Sequence, residues 1–420
     1  MPRNLYIHRL ITMLVMFVFV LATFAAPASA KLLESTAYFA VPKPALDADC
    51  TQQKPCSLQA AVNMAANNDV IYLKGGDKQY TSTAEQVVLI NKSVVLQGGW
   101  DGGAIGRPKI NMDANPTYLD GEYSRRVMQI TNPAAPTLRG LTILAGYTNS
   151  SGGGIYIDSS GGGALIEHSH LNNNSATSYG GGVYVASGTL TIRDSELLEN
   201  TTVYGGGAVM ASMGTSVIME RNVVEGNNAS YGSLGHFDQA SLIARSNHIF
   251  ENPGNTLVSI NGGNGLHFNL ENNIIDHNEG TAIVGGSMQG SVITILHNTM
   301  VENGKCIDLP GDSSGTIANN IFTASEVNSI LLVGGSNVTV SNNLFWQNEA
   351  DSVKGTNPVE ADPLLTGTFH LFFGSPAIDA GINANLTEDF DGEKRPVGLP
   401  DIGADEHQHP YPVFIPLSIR

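Results

Sequence analysis

Carboxylates and imidazoles recur through the middle of the 420-residue chain as Glu196, Glu199, Glu225, Glu251, Asp276 and Glu302, interspersed with His170, His248 and His277. Gathered on one face, such groups can chelate Ca²⁺ and hold an anionic glycan, or divide between general acid and general base. The competing reading is a solvated acidic face that keeps an exported protein soluble. No one column of the repeat described below holds all three histidines, which speaks against a zinc site among them. A second acidic group lies near the C-terminus: Asp389, Asp391, Glu393, Asp401, Asp405 and Glu406, beside Lys394 and Arg395. Asp389-Phe-Asp391-Gly-Glu393 has the beginning of a calcium loop without the remaining ligand positions. Ca²⁺ is therefore the candidate cofactor, with Asp389, Asp391 and Glu393 as its ligands. The alternative is a cap held by pairs between Arg395 and carboxylates. Cys50 and Cys56 close a short loop and can form a disulfide in an oxidising compartment. Cys306 is left over.

Positioning these groups is the task of an internal repeat. Segments such as Ile192-Arg-Asp-Ser195-Glu-Leu197-Leu-Glu-Asn200, Met219-Glu-Arg-Asn222-Val-Val224-Glu-Gly-Asn227 and Leu270-Glu-Asn-Asn273-Ile-Ile275-Asp-His-Asn278 recur eight times. Their fourth residues fall at 169, 195, 222, 247, 273, 298, 320 and 343, about 25 apart. A second motif, Gly152-Gly-Gly-Ile-Tyr-Ile, Gly180-Gly-Gly-Val-Tyr-Val and Gly205-Gly-Gly-Ala-Val-Met, keeps step with it. A unit of this length with short period-2 apolar runs cannot bury its inner face alone, so neighbours must stack. Propeller blades need about 40 residues, and leucine-rich repeats need a Leu consensus that is missing here. The expectation is a right-handed parallel β-helix. Asn at its corners is explained by tolerance of left-handed backbone, and stacked Asn amides can form a ladder.

Counting from the corner Ser or Asn as position 0, positions −5, −3, +2 and +5 should face inward together with the corner, and −4, −2, +1 and +3 outward. Column −2 then reads Arg139, Glu167, Arg193, Glu220, Arg245, Glu271, alternating in sign over six coils. With parallel strands about 4.8 Å apart, each charge lies between opposite charges. Cys306 stands in the place of Ile155 and Ala208, which predicts a small inward hydrophobe. Columns +1 and +3 are polar early, at Thr142, His170, Glu196 and Glu225, and apolar late, at Phe250, Ile274, Val301, Ile321, Leu344 and Trp346. A solvent-facing apolar cluster of that size is unusual. Phe369, Leu371, Phe372, Phe373 and Val413-Phe-Ile-Pro-Leu417 offer matching groups, so the C-terminal tail is expected to fold back over the late coils.

Composition agrees. Gly (47) and Asn (37) make up one residue in five, and charged residues are 14%. Helical bundles and coiled coils are excluded, and disorder is disfavoured by an ordinary apolar content of 42%. Net charge is −17, which makes nucleic acid and anionic membrane surfaces poor partners. Arg3, Arg9, an apolar run from Leu10 to Ala26 and Pro27-Ala28-Ser29-Ala30 read as a secretory signal, so the mature chain is expected to begin at Lys31, exported. No later stretch reaches the length of a spanning helix. Ser57 is an N-cap for a short helix through Ala66, suited to closing the first coil. The resulting plan is a signal peptide (1–30), an N-terminal segment with its capping helix (31–68), β-helix repeats (69–353), a C-terminal segment (354–406) and a tail (407–420).

Cys56-Ser-Leu-Gln-Ala-Ala-Val62, with Asp69-Val-Ile-Tyr-Leu73 and Leu96-Gln-Gly-Gly-Trp100, resembles the start of exported bacterial β-helix proteins known for a Cys-Ser-Leu-Arg-Glu-Ala segment; Gln59 and Ala60 depart from that pattern. Ser375-Pro-Ala-Ile-Asp-Ala-Gly381, Asp391-Gly-Glu-Lys-Arg-Pro396 and Asp401-Ile-Gly-Ala-Asp-Glu406 resemble the choice-of-anchor Q domain that ends many right-handed β-helix proteins of the pectate-lyase-like superfamily. The Gly-Gly-Gly-Ile-Tyr and Asn-ending segments resemble repeats of polymorphic outer-membrane adhesins. The resemblance implies architecture rather than an activity. Pectin-type lyases need Ca²⁺-binding acids and a basic residue at the α-proton of a uronate, and polygalacturonase-like enzymes need clustered Asp, a His and an Arg-x-Lys segment. Asn111-Met-Asp113 and Gly311-Asp312-Ser313 are present, but no Asp-Asp pair and no Arg-x-Lys segment. The functional expectation is an exported or surface-displayed β-helix that binds extracellular polysaccharide, or another surface, without catalysis. The alternative is a polysaccharide lyase or hydrolase acting on acidic glycans.

Overall fold

The computed structural model describes residues 35–131 and 133–408. The expected signal segment (1–30) and the apolar stretch Val413–Leu417 lie outside the described residues. Successive coils stack in register, so that Ser216–Glu220 pairs in parallel with Ser241–Arg245, and Val223–Glu225 with His248–Phe250. One sheet of 11 strands runs from Tyr118–Asp120 to Val359–Glu360, one strand per coil. A 20-stranded sheet has two arms, beginning at Ala37–Ala40 and at Gln86–Ile90. They fuse where Ile155–Glu167 and Val183–Arg193 run through the corner between them. The result is a parallel β-helix.

The register follows from inward apolar columns. Val217, Met219 and Val224 are completely buried, as are Leu242 and Ile249 one coil on. Cys306 is buried among them, its Sγ 3.0 Å from Ser325 Oγ, and burial pushes its thiol pKa up to about 12.

The corner asparagines form the expected amide ladders, but the left-handed turn falls one residue earlier than expected. The left-handed residue is the one before each Asn: Arg221 (φ 52°), Ser246 (φ 52°) and Asn272 (φ 54°) at one corner, Glu199 (φ 54°), Glu251 (φ 50°) and Glu302 (φ 49°) at the next. The corner residue itself turns its side chain inward. Asn247 Oδ1 accepts from both the N–H and Nδ2 of Asn222 (3.0 and 2.9 Å), while its own Nδ2 donates to Met219 O at 2.9 Å. A second ladder runs through Asn174, Asn200, Asn227, Asn252, Asn278 and Asn303. Each amide thus satisfies backbone groups that the turn withdraws from the sheets, where a bare buried N–H or C=O would cost about 1–3 kcal/mol.

The charged column forms two triads. Arg139 and Arg193 both grip Glu167, the latter through Nε (2.9 Å) and Nη2 (2.6 Å); Arg245 joins Glu271 at 2.6 Å and Glu220 at 4.0 Å. Glu167 and Glu271 face away from the core but are buried beneath their partners, a departure from the expected open column. Burial pushes the Glu167 carboxyl up, but the hydrogen bonds from Arg193 and Arg139 outweigh it and hold the group below its ordinary value.

Helix α1 spans Leu58–Met64, ending two residues sooner than expected. Ser57 caps its start, and Lys92 Nζ donates to the free carbonyls of Val62 and Asn63 at its end (3.2 and 2.6 Å). Leu58, Ala61 and Val62 are buried against the first coil. Cys50 and Cys56 are joined by a disulfide, their Cα atoms 4.5 Å apart.

Beyond the last coil, the C-terminal segment folds back along the late coils. Leu371, Ala377 and Ile402 pack against Ile321 and Leu344, with Trp346 half-buried beside them. Phe372 and Phe373 stay exposed, contrary to expectation, because the turn through Ser375 points them outward. The column before the corner Asn clasps the segment: Asn272 Nδ2 donates to Glu388 O (2.7 Å) and Asn319 Nδ2 to Ile382 O (2.7 Å).

Candidate functional site

The same corner column has two halves. Late in the rod Asn272, Asn319 and Asn342 hold the C-terminal segment. Early in the rod His168, Asp194 and Arg221 line an open cleft of about 460 Å³ with Asp113, His170 and Glu196. Arg221 also borders the gap lined by residues 384–389, so the C-terminal segment covers the rest of this groove and leaves its early end open. Arg221 Nε and Nη2 meet Asp194 Oδ1 and Oδ2 at 2.7 and 3.0 Å. That hydrogen-bonded pairing lowers the Asp194 carboxyl and raises the Arg221 guanidinium. Arg221 is therefore committed to a carboxylate. His170 Nδ1 lies 2.8 Å from Glu196 Oε2, both half-exposed.

The acidic stripe is not one surface. Glu196 is on strand Glu196–Leu198 beside His170; Glu199, Glu251 and Glu302 sit on the left-handed corner. Asp276 is nearly buried between His248 (2.8 Å) and His277 (2.7 Å), and His277 continues to Glu302 at 2.8 Å. The hydrogen bond to Asp276 raises the His277 pKa despite partial burial. Glu225 takes part in no ion pair among the described residues. Three of the six expected ligands, Glu196, Asp276 and Glu302, are thus engaged by histidines one coil or one residue away, while Glu199, Glu225 and Glu251 meet none among the described residues.

Asp389 is likewise committed. Its Oδ1 accepts the N–H groups of Asp391 (3.0 Å) and Glu393 (2.8 Å), and its Oδ2 that of Glu406 (3.2 Å). It organises the loop, and Glu393 points to solvent. Asp391 turns instead toward His370, whose Nε2 is 2.8 Å away.

Tyrosines form a feature absent from the sequence reading. Tyr179, Tyr204 and Tyr231 are 38, 53 and 59% exposed on the arch before each glycine run, and the Tyr179 and Tyr204 rings are 5.7 Å apart. Beside them a strand column carries Tyr156, Tyr184, Met210 and His236. Tyr156 and Tyr184 are 5.4 Å apart, with the Arg126 guanidinium 4.9 Å over Tyr156. Glycine brings arch and strand together: a Cβ at Gly205 would stand 3.2 Å from the His236 ring, and one at Gly180 (φ 64°) 2.8 Å from Tyr184 Cβ. The signal was legible as a Tyr immediately before Gly180, Gly205 and Gly232 in successive repeats.

The family described as right handed beta helix region matches residues 138–270, which hold the tyrosines and the cleft residues His168, His170, Asp194, Glu196 and Arg221 but not Asp113. Among solved structures, the pectate lyase Pel9A superimposes with a TM-score of 0.55 at 15% identity, covering 89% of this chain and 97% of that one. The PL6 family alginate lyase AlyGC is 13% identical over 88% of this chain and 58% of its own, with a TM-score of 0.33. At these identities the likeness to Pel9A is one of fold. No curated protein matches the sequence.

Proposed function

We propose that this chain is an exported or surface-displayed right-handed parallel β-helix that binds extracellular polysaccharide without catalysis. The observation that carries this reading is the row of exposed Tyr179, Tyr204 and Tyr231 on successive coils, the first two rings 5.7 Å apart, beside the Tyr156–Tyr184 pair. Tyrosine offers an apolar ring for the C–H face of a sugar and a hydroxyl for its polar rim. One ring per coil over three coils favours a chain of sugars running along the rod over a single small molecule. The net charge of −17 makes a neutral glycan the better ligand than a uronate polymer. Export is supported by the N-terminal signal pattern and by the Cys50–Cys56 disulfide.

A second reading rests on the open cleft. Asp113, His168, His170 and Glu196 supply acids and bases at the early end of the groove, as a lyase or hydrolase acting on acidic glycans would need. Against it, Arg221 is held by both oxygens of Asp194 and offers no free base.

Incubating the protein with neutral and uronic-acid polysaccharides, with and without Ca²⁺, separates the two. Calorimetric binding of neutral glycans, weakened at least about tenfold in Tyr204→Ala and without product, supports the first. Ultraviolet absorbance from unsaturated uronates, lost in Glu196→Gln or His170→Asn, replaces it with the second.

A further inference from the structure

Three segments far apart in sequence bring one ligand atom each to a single point on the C-terminal segment. His370, Asp391 and Asp405 have donor atoms that all lie within 4.8 Å of one another. Each is held from behind. Thr368 Oγ1 is 2.9 Å from His370 Nδ1, which leaves Nε2 facing the cluster. Asp405 Oδ2 accepts the Leu371 N–H at 2.7 Å. Asp391 is fixed through its own N–H, donated to Asp389 Oδ1 at 3.0 Å. Asp405 is 8% exposed, and of its two carboxylate oxygens Oδ2 is engaged while Oδ1 has no hydrogen-bond partner among the described residues and is reachable from solvent. Two carboxylates and one imidazole that converge from three separate turns, with one Asp405 oxygen unengaged, are a donor set suited to a cation.

We propose that His370 Nε2, Asp391 and Asp405 bind a divalent transition-metal ion of the Zn²⁺ type, which fastens the C-terminal segment to itself over the late coils. Mixed imidazole and carboxylate ligation suits zinc, at roughly 2.0–2.2 Å per bond. Ca²⁺ prefers six to eight oxygens, and three protein ligands that include a nitrogen do not supply them. The ion takes the place of the hydrogen between His370 Nε2 and Asp391 Oδ2, which are 2.8 Å apart: from the doubly protonated ring that proton leaves to solvent, and from the neutral ring the hydrogen shifts to Nδ1, facing Thr368 Oγ1, with no net release. The Thr368 and Leu371 contacts orient the ligands as outer partners do in metal sites. His370 lies in a stretch that the calcium-loop pattern did not include, and Asp405 lies in the Asp401–Glu406 motif. The ion would therefore join the turn after Thr366, the Asp389–Glu393 loop and the final motif.

The test uses the full mature chain, stripped with EDTA and exchanged into metal-free buffer, with ZnCl₂ and CaCl₂ as separate probes. Calorimetry should show one Zn²⁺ equivalent bound, with a proton release that grows as the pH is lowered, and a raised melting temperature, with no comparable effect of Ca²⁺. His370→Gln, half-exposed and expected to fold normally, should weaken Zn²⁺ binding at least about tenfold and abolish the melting shift. Asp405→Asn should do the same. His277→Gln should retain both, which excludes the other histidine–carboxylate cluster as the origin of the signal. No Zn²⁺ binding, binding that survives His370→Gln, binding lost in His277→Gln, or a Ca²⁺ preference would each overturn the proposal.

Discussion

Arg395 Nε donates to Glu406 Oε2 at 2.9 Å, and neither side chain reaches solvent. The pair links two motifs of the C-terminal segment and also ties that segment to the rod, because Arg395 Nη1 donates to Asn272 Oδ1 at 2.7 Å. Glu406 Oε1 accepts the Val397 N–H, and Oε2 accepts that of Asp401. Breaking a buried pair by removing one partner strands the other charge, at about 3–5 kcal/mol. Arg395→Met should therefore cost about 4 kcal/mol in urea unfolding, and Glu406→Gln less, since Gln keeps an acceptor. Equal, small losses from both would show that the pair is not sealed.

Asp401 gives this region a pH dependence. Burial pushes its carboxyl pKa up to about 7 from 3.8, with the Glu406 charge adding to the rise, while the N–H groups of Asp379 and His407 and the Arg395 charge oppose it. A raised carboxyl means that the folded state holds the proton longer than the unfolded state. Its contribution is present below about pH 4 and is lost by about pH 7, roughly 4 kcal/mol in all. His297, buried beside the Asp401–Gly403 turn, has its pKa pushed well below 6.5 by burial and Arg395, so its contribution runs the other way and fades as pH falls below 6.5. The informative quantity is the difference between wild type and Asp401→Asn. The variant should gain on wild type steadily as pH is raised from about 4 to 7 in thermal melts. Parallel curves would show that Asp401 does not titrate in this range.

Much of the rod was legible in advance because a column repeats. Arg139, Glu167, Arg193, Glu220, Arg245 and Glu271 stand at one register position, and the strand pairings align them. Asn was harder to read, since both an inward amide and a left-handed turn favour it; the residue that turns, Arg221 or Glu251, carries no sign of it. The acidic stripe misled for a related reason. Position in the repeat says which residues face outward, but not that His277 and His248 reach across to Asp276. The His370–Asp391–Asp405 cluster lies where repetition ends, and only the folded turns bring it together.

The Arg193 column makes a prediction with a salt signature. Arg193→Glu places three glutamates on adjacent coils and removes two hydrogen bonds to buried Glu167. Hydrogen bonds to charged groups contribute about 1.5–3 kcal/mol, and Arg193 is partly exposed, so a loss of about 2 kcal/mol is expected. Salt should narrow the gap to Arg193→Met by screening the repulsion. A gap that salt leaves unchanged would mean that packing, not charge, sets the loss.

The asparagine ladder predicts a position-specific penalty. Asn247→Ala strands the Asn222 N–H and Met219 O inside the rod and should cost about 3 kcal/mol. Asn264→Ala, at an exposed turn, should change stability by less than about 0.5 kcal/mol. Equal effects would show that the amides are replaceable by water.

The covered late face tests whether the C-terminal segment and the rod unfold together. Ile402 is completely buried, in one cluster with Ile321, Leu344, Leu371 and Ala377. Truncating a buried Ile removes its transfer free energy and leaves a cavity, together about 2–5 kcal/mol. If the segment is integral, Ile402→Ala lowers the single unfolding midpoint of the whole chain, because the exposed Ile321 and Leu344 destabilise the last coils and those coils template their neighbours. Binding of a hydrophobic dye should then rise only within that transition. If instead the variant shows an early transition of the segment while the rod melts at the wild-type midpoint, the segment is an independent appendage. Trp346, half-buried beside the same cluster, would then be uncovered between that early transition and the melting of the rod, and become available for sugar stacking.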